Sequence, residues 1–462
     1  MQAEEIDYLD PVQAFAPWAG QAWSMLMDSA VIDGDRGRYS FICAAPYQTL
    51  ICRAGQLFLD GKPEAGDPFT RLEALLTRHV MPQLTGLPPF QGGAAGYLGY
   101  EMGRYLEDVP VFGTDDMHLP EMAVGFYDQL IAFDGFDRRA WIIARDAGAG
   151  DAPERLTRLR AGIIAARALP LPPVQDFPDV RKWTVNFSRK DYERAVERVI
   201  EYILAGDIFQ ANIAQRFAVE LGRDFNRFEF YRRLRDVNPA PYAVFLELGE
   251  FAIASSSPER FLKIGNGKVE ARPIKGTRPR GETPEMDRAL AQELSASEKD
   301  RAENVMIVDL LRNDLSRVCM DGSVTAPSIC ALESFASVHH LVSVVTGQLR
   351  PRIGPVDVLR AAFPGGSITG APKIRAMQVI SEMEPHIRGP YCGSLGYIGF
   401  DGSMDMNIAI RTIAMNARQA VFHAGGGIVA DSVAAGEYAE SLDKARALFT
   451  AFGLTRPRID PL

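Results

Sequence analysis

The chain has 462 residues, of which 47% are hydrophobic and 24% are charged, and its formal net charge is −9. A chain of this length and composition can bury a large core and is typical of globular proteins. The acidic balance argues against a nucleic-acid-binding protein, because no excess positive charge exists to neutralise a phosphate backbone, and any anionic ligand would need positive charge supplied locally.

The N-terminal segment and the cysteines indicate the compartment. Residues 1–10 are acidic and lack the basic and apolar stretches of a signal peptide, and no apolar run is long enough to span a bilayer. The 5 cysteines are scattered without CxxC spacing, which indicates reduced thiols, neither a disulfide framework nor a zinc site. We therefore expect a cytoplasmic protein that binds neither membranes nor nucleic acid.

The first region comprises residues 1–146 and is predicted to be rich in strands. Short apolar runs alternate with Gly/Pro turns there, as at 38–44, 49–53 and 129–133. Residues 147–186 follow as a predicted helix and a Pro-rich connector. The prolines of 170–178 cannot donate to a sheet and favour an extended chain, so we place the boundary between the two regions there.

The second region comprises residues 187–455. Ser188 followed by Asp191 resembles a capping box, and apolar residues then recur at helical spacing up to Gly206, which favours a helix end. Further strands are expected at 243–247, 338–346 and 420–424, and further helices at 297–318 and 433–451. The order is mixed and lacks repeated βαβ units, which predicts the α+β class.

Three glutamates are candidates for a metal site. Glu437 and Glu440 lie at i and i+3 on one predicted helix face, and Glu303 lies on another predicted helix. Three converging carboxylates would repel one another unless a cation neutralised them, and hard oxygen ligands suit Mg²⁺. Glutamates at this spacing are also common on solvated helix faces, so the pattern alone leaves both interpretations open.

Two further patterns suggest ligand contact. The small-residue loop 364–373, which includes Ser367, and the glycines 425–427 would let the backbone approach an oxyanion closely, although glycine runs are also ordinary turns. Glu259 and Lys275 could serve as proton donor and nucleophile in a closed site, or could form a simple salt bridge.

Long stretches of the second region match one known family. They are DIFQANIAQRF (207–217), SPERF (257–261), RPIKGTRPR (272–280), KDRAENVMIVDLLRNDL (299–315), SVHHLVS (337–343), FPGGSITGAPKIRAMQVI (363–380), CGSLGYIGF (392–400), MDMNIAIRT (404–412) and GGGIVADSVAAGEYAESLDKA (425–445). The chain resembles the chorismate-utilising enzymes, and most closely the branch that aminates chorismate at C4. The N-terminal region matches more loosely, through stretches such as FQGGAAGYLGYEMGRYLE (90–107).

The resemblance implies a fold and a metal. The expected fold has two large antiparallel β-sheets packed as a sandwich with surrounding helices. Glu303 and Glu440 would be direct Mg²⁺ ligands, with Glu437 binding directly or through water, and Mg²⁺ would hold the ring carboxylate of chorismate. This would resolve the repulsion among the glutamates.

The resemblance also implies a covalent mechanism. Lys275 would add to C2 of chorismate as the C4 hydroxyl leaves, and Glu259 would protonate that hydroxyl. Ammonia would then add at C4 and expel the lysine. The family's anthranilate synthases carry Ala in place of this Lys. Its isochorismate and salicylate synthases activate water with a lysine near the position of Gln210, a role that glutamine cannot take.

Other site residues follow from the same resemblance. The enolpyruvyl carboxylate would contact Tyr391 and Arg411, and the backbone N–H groups of Gly426 and Gly427 would bind a substrate carboxylate. His340 and Ser367 are expected near the substrate. Lys444 would add positive charge, although an outward-facing helix lysine explains it equally well.

The resemblance further implies partners. The chain has no recognisable glutaminase section, so a separate glutamine amidotransferase subunit would supply ammonia. In relatives, the stretch matching Ser29, Arg38, Tyr39 and Ser40 helps to form a tryptophan pocket. The local sequence MDSA departs from the familiar versions, and strand-end turn chemistry explains these residues as well.

Two rival functions remain open at this level. The first is an anthranilate synthase large subunit, which would release pyruvate and an aromatic amine. The second is a catalytically silent, regulatory member of the fold. The second is disfavoured by the intact set of Glu259, Lys275, Glu303, Arg411, Glu437 and Glu440, because a non-catalytic chain has no need for mutually repelling carboxylates.

Overall fold

The computed structural model describes residues 2–32, 36–147, 152–174, 183–334, 338–454 and 459–461. Helices and strands occur in mixed order in these ranges, and the predicted α+β class is confirmed. The helices are α1 (Pro11–Phe15), α2 (Pro68–Leu76), α3 (Ala152–Ala168), α4 (Arg189–Leu204), α5 (Arg227–Val237), α6 (Pro284–Ala296), α7 (Glu298–Ser316), α8 (Pro355–Ala362), α9 (Lys373–Met383) and α10 (Ala434–Ala451). Among these helices, none is long and apolar enough to cross a membrane.

The strands of the described ranges are short in the first region and longer around the candidate site. They are β1 (Gln2–Ile6), β2 (Ser24–Asp28), β3 (Tyr39–Cys43), β4 (Gln48–Arg53), β5 (Gln56–Leu59), β6 (Lys62–Glu64), β7 (Gly93–Leu98), β8 (Met122–Tyr127), β9 (Gln129–Asp134), β10 (Arg139–Ala144), β11 (Trp183–Val185), β12 (Gln210–Glu220), β13 (Tyr242–Glu247), β14 (Ala252–Ser257), β15 (Arg260–Gly265), β16 (Lys268–Ala271), β17 (Ile274–Pro279), β18 (Thr325–Ser334), β19 (Val338–Gln348), β20 (Gly370–Ala371), β21 (Ser394–Gly399), β22 (Met404–Asn407), β23 (Thr412–Met415), β24 (Gln419–Ile428) and β25 (Ile459–Pro461). Short 3-10 helices lie at Ala16–Trp18, Thr77–His79, Tyr100–Tyr105 and Gly366–Ile368.

The strands form two large sheets whose pairs are antiparallel except for β11 with β25. The first sheet has the order β1-β10-β9-β3-β2-β13-β14-β23-β24-β12-β11-β25, with β20 also paired to β12. The second has the order β17-β19-β16-β15-β22-β21-β7-β8-β4-β5-β6, with β18 also paired to β19.

The two sheets pack face to face around a buried apolar layer. Phe41 of β3 in the first sheet contacts Tyr397 of β21 in the second, with ring centroids 5.7 Å apart. Both residues belong to a buried cluster that draws its side chains from both sheets. Non-polar faces that meet in this way remove apolar area from water on both sides, so the expected sandwich is confirmed.

Strands of the two predicted regions are neighbours within both sheets. In the first sheet, Leu26 of β2 pairs with Phe245 of β13, and in the second, Gly96 of β7 pairs with Gly396 of β21. Residues 170–174 of the predicted connector are exposed or half-buried, and residues 175–182 lie outside the described residues. The boundaries at 146 and 187 stay a prediction, and the regions share their sheets.

Local capping fixes the helices that carry candidate site residues. Ser188 Oγ accepts the backbone N–H of Asp191 at 3.1 Å at the start of α4, as the sequence predicts. Helix α7 begins in the same way, because Ser297 Oγ accepts the N–H of Asp300 at 3.3 Å. Each cap satisfies a donor that the first helical turn leaves without a partner. Helix α7 lies against β17, β18 and β19, and α10 lies against β24 and α4.

Candidate active site

Lys275 lies in β17, beside helix α7. Its Nζ is 3.8 Å from Glu303 Oε2, and only 12% of the lysine side chain and 16% of the glutamate side chain are exposed. The pairing of β17 with β19 is irregular between Lys275 and Thr277. Gly276 stands at this irregularity with φ of 77°, and a Cβ there would lie 2.8 Å from Leu294 Cδ1, so only glycine fits.

Glu259 is a buried carboxyl between β14 and β15. Ser367 Oγ donates to Glu259 Oε1 at 2.9 Å. Burial raises the pKa of Glu259 to about 7, against the opposing effects of the Ser367 hydrogen bond and the positive charge of Lys275. A carboxyl with this pKa is partly protonated near neutral pH and can therefore give a proton away.

The loop that carries Ser367 is tied to helix α7. Lys373 Nζ donates to Asp314 Oδ2 at 2.7 Å and to the carbonyl oxygen of Ala362 at 2.8 Å. Both side chains of this ion pair are buried, with 11% and 3% exposed. Burial lowers the pKa of Lys373, and Asp314 counteracts that shift. The pair joins the two ends of the 363–373 loop to the helix that carries Glu303.

Glu437 and Glu440 converge above the glycine run that ends β24. A Cβ built on Gly426 would lie 3.2 Å from Glu437 Oε2 and 3.5 Å from Glu440 Oε1. Ser432 Oγ donates to Glu437 Oε1 at 2.7 Å. Burial raises the pKa of Glu437, and repulsion by Glu440 adds to this shift. The i, i+3 spacing therefore does bring these two carboxylates to one point.

Lysines face each of the three glutamates. Lys444 Nζ is 2.8 Å from Glu440 Oε1 and donates to the carbonyl oxygen of Gly425 at 3.0 Å. Lys299 Nζ is 3.9 Å from Glu437 Oε1. Partial burial opposes ionisation of Glu440, but the charges of Lys444, Lys299 and Lys275 outweigh it and lower the pKa of this carboxyl. These ammonium groups supply the local positive charge that an acidic chain needs for an anionic ligand.

The glycines of β24 are required by close approach. A Cβ on Gly427 would lie 2.0 Å from Gln210 Nε2, and one on Gly425 would lie 2.0 Å from the carbonyl oxygen of Ile213. Gln210 is itself buried, and its Oε1 has no hydrogen-bond partner among the described residues. Gly425 is therefore required by the backbone that it faces, and the alternative of a flexible turn is wrong here, since β24 runs through Ile428.

The fit of these residues to a divalent cation is partial. Glu437 and Glu440 provide converging carboxylate oxygens, and the repulsion between them is what a cation would relieve. Glu303 faces Lys275 instead. Across the described ranges, no group of three or more His, Cys, Asp or Glu side chains is close enough to hold a metal ion. The donor chemistry of Glu437 and Glu440 suits Mg²⁺, whereas Glu303 faces Lys275 and does not complete a group of three.

Tyr391 is a buried aromatic group and Arg411 is a half-buried cationic group. The ring of Tyr391 stacks on His423, with centroids 5.2 Å apart and planes 15° apart. Arg411 has φ of 51° and donates from Nη1 to Asn238 Oδ1 at 3.0 Å. Burial lowers the pKa of Arg411. A non-glycine residue with positive φ costs energy, and such positions concentrate at functional sites.

The two histidines of the SVHHLVS stretch have different environments. His340 Nδ1 hydrogen-bonds with Thr277 Oγ1 at 2.9 Å, and burial lowers the pKa of His340 to about 4, so its ring is neutral at physiological pH. His339 hydrogen-bonds with Ser334 Oγ at 2.7 Å and Asp287 Oδ1 at 3.0 Å. His339 thus joins α6 to the second sheet, while His340 lies beside β17, which carries Lys275.

A cavity of about 340 Å³ lies between the sheets, beside the residues that were predicted to form a tryptophan pocket. Ser29, Arg38 and Tyr39 line this cavity, whereas Ser40 Oγ accepts the backbone N–H of Ser29 at 3.0 Å. The guanidinium of Arg38 donates to Asp134 Oδ2 at 2.9 Å and 2.6 Å, so it is already paired. Asp28 borders the same cavity, but its carboxylate accepts from Tyr231 at 2.9 Å and from Arg235 at 2.6 Å, both of α5.

The sequence did not indicate several residues that contact the predicted site residues. Lys299 stands in a quoted motif, but nothing in its spacing indicated that it would face Glu437. Arg388, Glu384 and His423 surround Tyr391, and only the fold brings them there. A buried charge can be found from sequence only when its partner is known, and these partners come from distant elements.

Comparisons with known proteins add names to this geometry. A family model described as chorismate binding enzyme matches residues 27–450. The chain is 42% identical to aminodeoxychorismate synthase component 1 of Klebsiella aerogenes over 93% of this chain and 94% of that protein. It is 37% identical to anthranilate synthase component 1 of Pseudomonas aeruginosa over 98% of this chain and 95% of that protein. Among solved structures, anthranilate synthase component I from Streptococcus pneumoniae TIGR4 superposes with a TM-score of 0.80 at 32% identity, covering 96% of this chain and 99% of that one.

Proposed function

This chain belongs to the family of chorismate binding enzymes, and from that premise we propose that it is the chorismate-aminating component of an aminodeoxychorismate synthase. It would convert chorismate and ammonia to 4-amino-4-deoxychorismate, the precursor of 4-aminobenzoate and folate. The observation that carries the proposal is Lys275, whose largely buried amine lies beside Glu303 and within the electrostatic reach of Glu259. Relatives of both branches are similar to this chain, so the branch depends on this residue.

The chemistry assigned to Lys275 has two allylic steps. The nitrogen of its amine forms a bond to C2 of chorismate, the two ring double bonds shift, and the C4–O bond breaks. Ammonia then forms a bond to C4, the double bonds shift back, and the C2–N bond to Lys275 breaks. The enolpyruvyl group stays in place, and the amine ends at C4 because each addition occurs at the far end of the diene.

Glu259 protonates the departing C4 hydroxyl. Its carboxyl gives a proton to the C4 oxygen, which leaves as water, and the carboxylate then takes a proton from the newly added ammonium nitrogen. A pKa of about 7 suits both transfers, because each form is populated near neutral pH. Ser367, which donates to this carboxylate, holds it in place.

The rival product would require a different residue here. In the anthranilate synthase branch, Ala replaces Lys275, and no amine is available to add at C2 and leave again. Water addition at C2 is also disfavoured, because the buried Gln210 cannot act as a base. The full set of charged residues around Gly426 speaks against a catalytically silent member of the family.

Mg²⁺ is the proposed cofactor, held by Glu440, Glu437 and Glu303. When bound, it would neutralise the glutamates and polarise a substrate carboxylate. Lys444 and Lys299 add positive charge next to the same glutamates. The backbone N–H groups of Gly426 and Gly427 would bind the substrate carboxylate.

The other end of chorismate would lie against Tyr391 and Arg411. Arg411 offers a planar guanidinium that suits the enolpyruvyl carboxylate, and its contact with Asn238 fixes one of its nitrogens. The ring of His340, which lies near β17, is neutral at physiological pH, and a neutral imidazole suits a hydrogen-bonding role toward the substrate.

The proposed partner is a glutamine amidotransferase subunit that supplies ammonia. The printed name "component 1" of the similar proteins supports a partner component. We place the protein in the cytoplasm, in agreement with cysteines that are all buried and free of disulfides among the described residues. Tryptophan is a proposed ligand of the 340 Å³ cavity, which Ser29, Arg38 and Tyr39 line.

Product identification tests the proposal. The purified chain is incubated with chorismate, Mg²⁺ and ammonium, and the products are separated and weighed by mass spectrometry. A product that keeps the enolpyruvyl group and gains nitrogen is expected, without pyruvate. Release of pyruvate with anthranilate would support the rival branch, and no consumption of chorismate would reject both.

A further inference from the structure

Arg388 is a buried guanidinium just before Tyr391 in the chain. Only 1% of its side chain is exposed, and it forms an ion pair with Glu384, with Nη2 to Oε1 at 2.6 Å and Nε to Oε2 at 2.8 Å. A fully buried pair of this kind costs desolvation and is weak evidence for a stabilising role. The other contacts of Arg388 are therefore better evidence of its role than this ion pair.

The remaining contacts of Arg388 reach two parts of the candidate site. Nη1 donates to the carbonyl oxygen of Ile368 at 3.2 Å, next to Ser367, which holds Glu259. Nη2 donates to the carbonyl oxygen of Asn212 at 2.6 Å, and Asn212 pairs with Gly427 in the sheet. One side chain thus joins the Ser367 loop and the strand beside the glycine run.

Arg388 also touches Tyr391 directly. The guanidinium carbon is 5.6 Å from the centroid of the Tyr391 ring, and the backbone N–H of Tyr391 donates to the Arg388 carbonyl oxygen at 3.2 Å. His423 stacks on the same ring. The Tyr391 ring contacts both the Arg388 guanidinium and the His423 imidazole, which restricts its rotation, so the position of Tyr391 depends on that of Arg388.

Glu101 of the N-terminal region fixes the backbone of this turn. Its Oε1 accepts the N–H of Arg388 at 2.8 Å, and its Oε2 accepts the N–H of Gly389 at 3.0 Å. The carboxyl is buried, with 8% of the residue exposed. Both carboxylate oxygens therefore accept hydrogen bonds from residues that closely precede Tyr391 in the chain.

We propose that Glu101 and Arg388 are positioning residues, through which the N-terminal region sets the place of Tyr391 and the Ser367 loop. This inference rests on the proposed function, since it takes chorismate as the substrate whose carboxylate Tyr391 contacts. It assigns catalytic importance to the stretch around residue 101, which resembles the family only loosely.

A double-mutant cycle on chorismate turnover tests the proposal, with ammonium as the nitrogen source. Glu101→Gln keeps the shape but replaces one acceptor oxygen by an N–H₂ group, and it is expected to raise KM for chorismate about 10-fold with kcat changed by less than about 3-fold. In the Tyr391→Phe background, Glu101→Gln should alter KM by less than about 2-fold. The Tyr391 hydroxyl, which Glu101→Gln would displace in the wild-type chain, is already absent from that variant.

Arg155→Lys is the matched control, because Arg155 forms a buried ion pair with Asp128, with 6% and 2% of the two side chains exposed. It is expected to lower thermal stability without changing KM. If Glu101→Gln does not fold, the cycle is run with Arg388→Lys, for which kcat should fall as well as KM rise. Additive effects on KM, or an unchanged KM, would overturn the inference. Lack of chorismate consumption by the wild-type chain would instead reject the proposed function.

Discussion

Replacement of Ser367 by alanine should move the pH dependence of catalysis in a defined direction. Ser367 Oγ donates to Glu259 at 2.9 Å, and this bond favours the charged carboxylate. Burial is the larger influence and raises the pKa of Glu259 to about 7, so the serine holds the pKa down. Without the serine, the pKa should rise further.

The size of the shift follows from the energy of the lost bond. A hydrogen bond to a charged group contributes about 1.5–3 kcal/mol, and one pKa unit corresponds to about 1.4 kcal/mol. An upward shift of about one to two pH units is therefore expected. Because the proton donor acts in its protonated form, kcat is lost as the pH rises through this pKa, and the variant should keep its activity to higher pH.

The assay is kcat for chorismate amination between pH 5.5 and 9, measured at saturating chorismate and ammonia. This range brackets the pKa of Glu259, which is about 7. Ser257→Ala is the matched control, because Ser257 Oγ contacts the Glu259 backbone and not its carboxylate. An alkaline limb that stays in place or moves to lower pH in Ser367→Ala would refute the assignment of Glu259 as the proton donor.

Other changes test the remaining parts of the account. Glu303→Gln or Glu440→Gln should lower turnover by at least about 100-fold and weaken Mn²⁺ binding measured by calorimetry; undiminished activity, or full activity in excess chelator, would remove the metal assignment. Glu259→Gln should raise the free energy of unfolding at pH 8 and change it little at pH 5, and the two effects should differ by about 3 kcal/mol. The reason is that the folded-state pKa of about 7 exceeds the ordinary value of 4.5, so the wild-type chain loses stability as the pH rises between these values. Equal effects at both pH values would contradict this. Tyr39→Ala should weaken tryptophan binding to the cavity by about 10-fold or more in equilibrium dialysis, because Tyr39 lines the cavity, and unchanged tryptophan binding would contradict the assignment.

Much of the fold could be predicted from periodicity and capping. The helix after Ser188 was expected and is present, and the strand expected at 420–424 is present but extends through the glycines to Ile428. The pairing of β2 with β13 was not foreseeable, because hydrophobic alternation identifies a strand but not its distant neighbour. The expectation of two packed sheets came from family resemblance, since the sequence pattern alone supports only a mixed α+β chain.

The candidate site was predicted in part, for physical reasons that differ between residues. Glu437 and Glu440 share a helix face, so helical spacing alone brings them together. Glu259 and Ser367 meet only because the 363–373 loop folds back, which motif recognition anticipated and spacing did not. Arg388 and Glu101 could not be found at all, because their contacts join elements that are far apart in sequence.

The nucleophilic role of Lys275 is the central claim. Lys275→Ala should lower the rate of aminodeoxychorismate formation by about two or more orders of magnitude, because the first allylic step loses its amine. Lys268→Ala, a change to an exposed lysine of β16, serves as the matched control and should keep the wild-type rate.

Turnover and chorismate binding of Lys275→Ala, measured on the same preparation, test the claim most directly. The account predicts a rate of about 1% of wild type or less, with chorismate binding retained within about 3-fold. Aminodeoxychorismate formation at close to the wild-type rate would contradict it, and Lys275 would then be only the ion-pair partner of Glu303.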